Sequence, residues 1–235
     1  MKNNLNMKLD DSTNSSTSDS AKLVADIWRT YYKNGQLKSE TPLVKVTNHG
    51  IEKLYYETGE LWFEITFDNG KRNGTRKEYH KTGKLKEETP FDDDKIYGII
   101  KEYYENGQLK SETPYDHDKI HGIKKWYYET GELNGETIYH TGKENGIVKW
   151  YYKNGQLKYE TPYVRGKKHG ICKEYYENGE LKEETPFEND KLHGILKKYY
   201  ENGQIQEEKL FKNGEKQGQT NFYDEDGNII IKFIK

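Results

Sequence analysis

The sequence predicts an all-β protein: an elongated, solenoid-like single-sheet array of antiparallel β-hairpins. Three observations carry that prediction. Tyrosine recurs every 24 residues, at Tyr31, Tyr55, Tyr79, Tyr103, Tyr127, Tyr151, Tyr175, Tyr199 and Tyr223. Glycine keeps the same interval in two series, one from Gly35 to Gly227 and one from Gly50 to Gly218. No insertion or deletion disturbs the count, and such a period marks like units that stack on their neighbours. Finally, a turn pair ending in glycine interrupts every unit and no 3.6-residue apolar stripe persists, which excludes a helical reading.

Taken in order, residues 1–25 are rich in Ser, Asn and Asp and read as a flexible tail. Residues 26–235 divide into nine units: 26–49, 50–73, 74–97, 98–121, 122–145, 146–169, 170–193, 194–217 and 218–235. Unit four, GIIKEYYENGQLKSETPYDHDKIH, shows the plan. Its first strand carries Ile-x-Lys-x-Tyr-Tyr. Asn106-Gly107 then favours a two-residue turn with positive φ, which suits the twist of flanking strands. Thr58, Thr82 and Thr130 replace the asparagine elsewhere; threonine is poor in a left-handed position, so those units are expected to use a type I turn with a glycine bulge. The second strand carries Leu-x-x-Glu-Thr-Pro, with all five prolines at one position near its end. A polar link such as DHDKIH leads to the next unit.

Charge placement supports the register. With a two-residue turn at Asn106-Gly107, Lys101 faces Glu112. The same offset pairs Lys53 with Glu64, Lys77 with Glu88, Lys125 with Glu136, Lys149 with Glu160, Lys173 with Glu184, Lys197 with Glu208 and Arg29 with Glu40. Each such pair contributes only ~0.2–1 kcal/mol, so its value lies in fixing register. Tyr104 and Leu109 are expected opposite each other on one face, with Ile99 and Tyr103 on the other. At the C-terminus the second strand reads Asn228–Lys235 and is more apolar than its counterparts. It is expected either to fold back as a cap, burying Ile229, Ile231 and Phe233, or to form a homodimer through an open edge strand.

Composition narrows the function. The mean hydropathy of -1.20 and 33% charged residues resemble a disordered chain, but 16 of the 21 tyrosines fall at two adjacent positions of the repeat. Thirty-eight Lys+Arg against 40 Asp+Glu give no electrostatic reason to expect nucleic acid or an anionic membrane. Cys172 is the single cysteine, the N-terminus has no signal-peptide pattern, and no apolar run reaches transmembrane length; a cytoplasmic location is expected. Catalytic motifs are missing, because the carboxylates recur in every unit rather than forming one distinct pair. The row His49, His121, His169 and His193 is spaced about 10 Å per repeat, too far apart to share a metal ion. No cofactor is expected, and Cys172 reads as a small apolar filler.

The functional candidates are aromatic. Trp126 and Trp150 occur in consecutive central units at a position that holds Glu78, Glu102 and Glu174 elsewhere. Together with the central tyrosines Tyr103, Tyr127, Tyr151 and Tyr175 they form the candidate partner-binding set, since Trp and Tyr are enriched at interface hot spots. The competing reading is that the indoles pack on each other as a local plug.

Segments YYENGQLKSE (103–112), YYKNGQLKYE (151–160) and YYENGELKEE (175–184), with GKRNG (70–74) and GKKHG (166–170), resemble the bacterial MORN-variant repeat. Asp94, Asp118 and Asp190 depart from the glycine of its Gly-Lys step. The resemblance implies a hairpin array and a non-enzymatic, protein-binding scaffold, with a toxin as one partner class because such proteins are often antitoxin or immunity components. A lipid-associated module, or a carbohydrate or surface-ligand binder, is the alternative.

Overall fold

The computed structural model describes residues 26–44 and 47–230; the expected tail, and the part of the C-terminal strand that contains Ile231 and Phe233, lie outside the described residues. Twenty-four antiparallel strands form one open sheet, without helices among the described residues. Units one to seven each contribute a six-residue first strand, an eight-residue second strand and a two-residue short strand, while in unit eight the short strand runs on into Glu215–Phe222. In unit four these are Gly98–Tyr103, Leu109–Asp116 and Lys119–Ile120. The second strand pairs with its own first strand on one side, and with its short strand and the next unit's first strand on the other. The array is thus a continuous ladder.

All eight predicted charge pairs are register partners, from Arg29↔Glu40 to Lys197↔Glu208. The turn that sets them differs from the expectation. Tyr104 N–H donates to Gln108 O at 2.9 Å, and Gly107 N–H to Tyr104 O at 2.9 Å. Only Gly107 (φ 92°) is left-handed, while Asn106 is not. The loop is therefore a three-residue type I turn closed by a glycine bulge in asparagine and threonine units alike. Asn106 serves through its side chain: Oδ1 accepts Gln108 N–H at 2.8 Å, and Nδ2 donates to Glu129 O of the next unit at 2.9 Å. Tyr103 consequently faces Leu109, and Tyr104 is closed by Gln108 rather than facing Leu109. A second bulge at Lys110 restores the count, so Lys101 still meets Glu112.

The two-residue turns lie in what the sequence presents as a polar link. His117-Asp118 (φ 46° and 65°) and Asn69-Gly70 (φ 50° and 82°) have two successive left-handed residues, the type I′ signature, and close a second hairpin in each unit. Here the departures Asp94, Asp118 and Asp190 acquire a reason. Their Oδ1 atoms accept the N–H of Arg72 (3.0 Å), Ile96 (2.8 Å) and Lys168 (2.8 Å) in the preceding unit, offsetting a left-handed cost of about 1–2 kcal/mol.

Strand alternation sorts the side chains onto two faces. One carries Ile99, Lys101 and Tyr103 with Glu112 and Pro114; we call it the charge face. The other carries Ile100, Glu102, Tyr104, Ser111, Thr113 and their equivalents; we call it the threonine face. Every buried side chain among the described residues (Ile65, Thr89, Phe91, Ser111, Thr113, Thr137, Val148 and Glu207) lies on the threonine face. The sheet therefore curls toward it. The charge face instead exposes an isoleucine row from Ile27 to Ile195, each about half exposed. With three apolar residues buried, no thick core exists, and stability rests on contacts between neighbouring units.

Candidate functional site

The two tyrosine positions have different tasks. On the charge face, each tyrosine of the 24-residue series reaches back to the preceding unit and donates to its glutamate: Tyr103 to Glu88 (2.8 Å), Tyr127 to Glu112 (2.8 Å), Tyr151 to Glu136 (3.1 Å) and Tyr175 to Glu160 (3.4 Å). The glutamates are held by these phenols more than by their facing lysines. Of the eight cross-strand pairs, Arg29–Glu40 at 2.9 Å and Lys197–Glu208 at 3.8 Å reach ion-pairing distance. Burial, reinforced by the adjacent carboxylate, pushes the phenols of Tyr103, Tyr127 and Tyr151 up to about 12. On the threonine face the second tyrosine reaches forward: Tyr104 donates to Tyr127 O (2.8 Å), Tyr128 to Tyr151 O (2.7 Å) and Tyr152 to Tyr175 O (2.8 Å).

The structure brings Trp126 and Trp150 together on the threonine face, away from Tyr103, Tyr127, Tyr151 and Tyr175. The indoles stack at 5.1 Å between centroids with 29° between planes, and both are half-buried. Gly135, in register with both, makes this stack fit. A Cβ there would lie 2.7 Å from Cζ3 and 2.9 Å from Cδ2 of Trp150, and closer still to Cε3. The packing between the indoles thus matches the plug geometry, while each tryptophan remains partly open to solvent.

Around the stack the residues change character. Lys124 Nζ sits 4.8 Å from the Trp126 ring centre, and Lys158 Nζ lies 5.2 Å and 5.3 Å from the rings of Tyr152 and Tyr159. Among the described residues, neither lysine is within ion-pairing distance of a carboxylate. On either side, several acids of this face have cationic partners, Glu78 with Arg76 and Lys86, Glu174 with Lys182, and Glu207 with Lys209, while Glu102 accepts from Ser111 and Glu52 from Thr41. Tyr128, Asn134, Trp150, Tyr151, Lys158 and Tyr159 line a shallow open depression of about 250 Å³. Sequence reasoning found the tryptophans through the break they make in the repeat. It missed Tyr128 and Tyr159, although Tyr128 stands two residues beyond Trp126 and alternation places both on one face.

Cys172 is part-buried on the threonine face opposite Thr185, and burial pushes its thiol up, as suits a filler. Among the described residues no group of three His, Cys, Asp or Glu is placed to hold a metal ion. Ile229 is 60% exposed, which corrects the expectation that it is buried by a C-terminal cap. It bridges to Tyr223, beside the bond from Ile230 N–H to Phe222 O (2.7 Å).

One open sheet of stacked hairpins, each bonded to the next by backbone and phenol, defines a β-hairpin repeat scaffold. The MORN repeat variant model matches residues 27–45, 48–69, 72–93, 96–117, 120–140, 144–165, 168–189 and 192–213. These segments span well over half of the sequence, and the chain belongs to the MORN repeat variant family. No curated protein matches it. Among solved structures, the crystal structure of TcdB2-TccC3-TEV aligns with 84% of this chain at 14% identity and a TM-score of 0.21. That of TcdB2-TccC3 aligns with 86% at 12% identity and a TM-score of 0.18. This chain spans only 11% and 15% of those chains, and at such TM-scores the likeness carries no argument.

Proposed function

We propose that this scaffold is a non-enzymatic, cytoplasmic protein-binding module, and that its partner docks on the threonine face of units five and six. The observation that carries this reading is the indole stack with the cations beside it. The centre offers two stacked indoles and two lysines, Lys124 and Lys158, that rest on aromatic rings and, among the described residues, lie outside ion-pairing distance of a carboxylate. Aromatic anchors ringed by cations suit a protein segment that presents carboxylates beside an apolar or aromatic side chain. The family likeness makes an antitoxin or immunity role the first specific case, with the partner a toxin occluded by the scaffold.

The test begins with the protein encoded beside this one. Trp126→Ala with Trp150→Ala, and separately Lys124→Glu with Lys158→Glu, are expected to weaken its binding at least tenfold while circular dichroism retains the sheet. Ile147→Ser on the opposite face is expected to leave binding unchanged. Equal loss from all three variants, or unfolding of the tryptophan variant with no change in binding per folded molecule, refutes the proposed surface. If the neighbouring protein is toxic when expressed alone and harmless with this one, the antitoxin reading stands; toxicity unaffected by co-expression removes it.

A further inference from the structure

The charge face carries a second feature at unit five, independent of the aromatic centre. The residue just before each first strand stands opposite the residue that ends the second strand. Gly50 pairs with Phe67 and Gly122 with Tyr139, so His49 faces Asp68 and His121 faces His140. The opposing residue is an acid in units two, three, four and seven: Asp68, Asp92, Asp116 and Glu188. In unit two it meets the histidine directly, with His49 Nδ1 3.3 Å from Asp68 Oδ1. Unit five departs from this plan, because His140 stands where the acid stands elsewhere.

The rings of His121 and His140 lie 5.0 Å apart between centres, tilted by 52°, and both residues are exposed. Among the described residues neither ring is within ion-pairing distance of a carboxylate, whereas His49, His117 and His193 are. A neutral imidazole offers one lone pair. Thr141 Oγ1 lies 3.4 Å from His140 Nδ1, an outer contact of the kind that orients a ligating ring and leaves Nε2 for the ligand.

We propose that His121 and His140 together bind one divalent transition-metal ion, with solvent completing its shell. The spacing fits. At a metal–nitrogen distance of about 2.0–2.1 Å each ring centre lies about 3.2 Å from the ion, and two rings at about 90–109° are then about 4.5–5.2 Å apart. The observed 5.0 Å falls inside that range. The outer torsion of histidine is soft, so each ring can turn a nitrogen to the shared point without moving the backbone. The class of ion follows from the donors. Two imidazoles suit zinc, copper or nickel, and among the described residues no third His, Cys, Asp or Glu joins them. Magnesium and calcium, which take oxygen ligands, are excluded by the same donor set. With two protein donors the shell is open, so the ion exchanges with solvent, and while bound it fastens the junction between units four and five.

The test titrates zinc chloride into the full chain, free of any affinity tag, by calorimetry at neutral pH. One saturable site is expected below millimolar zinc, and none with magnesium chloride. His121→Asn and His140→Val install the residues that unit six carries, Asn145 and Val164, where the strand register is the same. Each is expected to weaken zinc binding at least tenfold with an unchanged circular dichroism spectrum. His169→Asn, and the double Trp126→Ala, Trp150→Ala variant, should leave it unchanged. Zinc should raise the unfolding midpoint of the parent and not of the His121 and His140 variants, since an ion that binds the folded state stabilises it. In the parent itself, the ring nitrogen resonances of His121 and His140 should shift together in nuclear magnetic resonance spectra, a readout that needs no variant. Absence of saturation at millimolar zinc overturns the proposal, as does equal binding by either variant. Equal loss with His169→Asn assigns the zinc to scattered surface histidines and also overturns it.

Discussion

Gly135→Ser replaces an odd residue with the one its equivalent position holds in units one and four, Ser39 and Ser111. Such a return to a residue that the repeat uses elsewhere normally stabilises a protein. Here the opposite sign is expected. The new Cβ would lie 2.7 Å and 2.9 Å from ring atoms of Trp150, against about 3.5–4.0 Å for an ordinary carbon contact. The indole must withdraw by about 1 Å, in a strand whose neighbours fix its backbone. Overpacking of that size costs about 1–3 kcal/mol, and the disturbed stack with Trp126 adds ~0.5–1.5 kcal/mol. Removing a glycine from a strand returns only ~0.5–1 kcal/mol. Net destabilisation of ~1–3 kcal/mol is therefore expected. Urea unfolding followed by both circular dichroism and tryptophan fluorescence reads it, and agreement of the two probes checks that units unfold together. Adding Trp150→Glu should recover most of the loss, because it removes the ring that the new Cβ meets and leaves at 150 the residue that Glu102 and Glu174 supply in other units. A Gly135→Ser protein as stable as the parent would show that the indoles are not held against each other, and the reasoning would fail.

Two further outcomes follow from the tyrosine positions. His80 occupies the forward-reaching position, and its Nε2 is buried without a partner. His80→Tyr supplies the hydroxyl that Tyr104 gives to Tyr127 O, and should add about 1 kcal/mol, raising Tm by a few degrees; a lower Tm would refute this. Alkaline pH acts on the charge face. Tyr103, Tyr127 and Tyr151 are pushed from the ordinary 10.0 up to about 12, so their contribution is full below pH 10. Between pH 10 and about 12 the unfolded chain loses these protons first, and stability must fall with rising pH. Phenolate absorbance and circular dichroism should change together in that window. Phenolate formation near pH 10 with an unchanged sheet would contradict the phenol–carboxylate ladder.

The register was legible because opposite charges at a constant offset survive whatever turn joins them. The turn was not. Asn-Gly reads as a type I′ hairpin from local preference, yet Asn106 is used for two side-chain bonds, one of them to the next unit. A single chain does not display that partner next to the residue it serves. For the same reason the linker hairpins were read as loops: pairs such as His117-Asp118 and Arg165-Gly166 do not resemble I′ turns, and Asp118 takes its left-handed place because its carboxylate caps Ile96 in the unit before. The phenol–glutamate ladder was hidden too, since Tyr127 and Glu112 stand 15 residues apart and meet only through stacking. At the candidate site, Trp126 and Trp150 were visible as exceptions. Gly135 lies outside both glycine series, and its reason is a ring 15 positions downstream.

These observations separate what the repeat needs from what it presents. A residue that recurs through the units is occupied with a neighbouring unit: Tyr127 holds Glu112 of the unit before, while Tyr128 holds Tyr151 O and Asn106 holds Glu129 O of the unit after. Replacing any of them removes a bond between units, so its first effect is on stability, and a change in binding would follow from lost structure. Among the described residues Trp126 and Trp150 make no hydrogen bond between units, and their place is filled in units one to four, seven and eight by glutamate, lysine, leucine or threonine without altering the register, and in unit nine by Phe222. Stacking does not require indoles there. The glycine that admits them has no side chain to pack, and the lysines around them have no acid to neutralise. A cluster that the scaffold accommodates but does not need is where selection for a partner can act without disturbing the array. Recognition is therefore proposed on the threonine face of units five and six, while Tyr103, Tyr127, Tyr151 and Tyr175 stitch the sheet together.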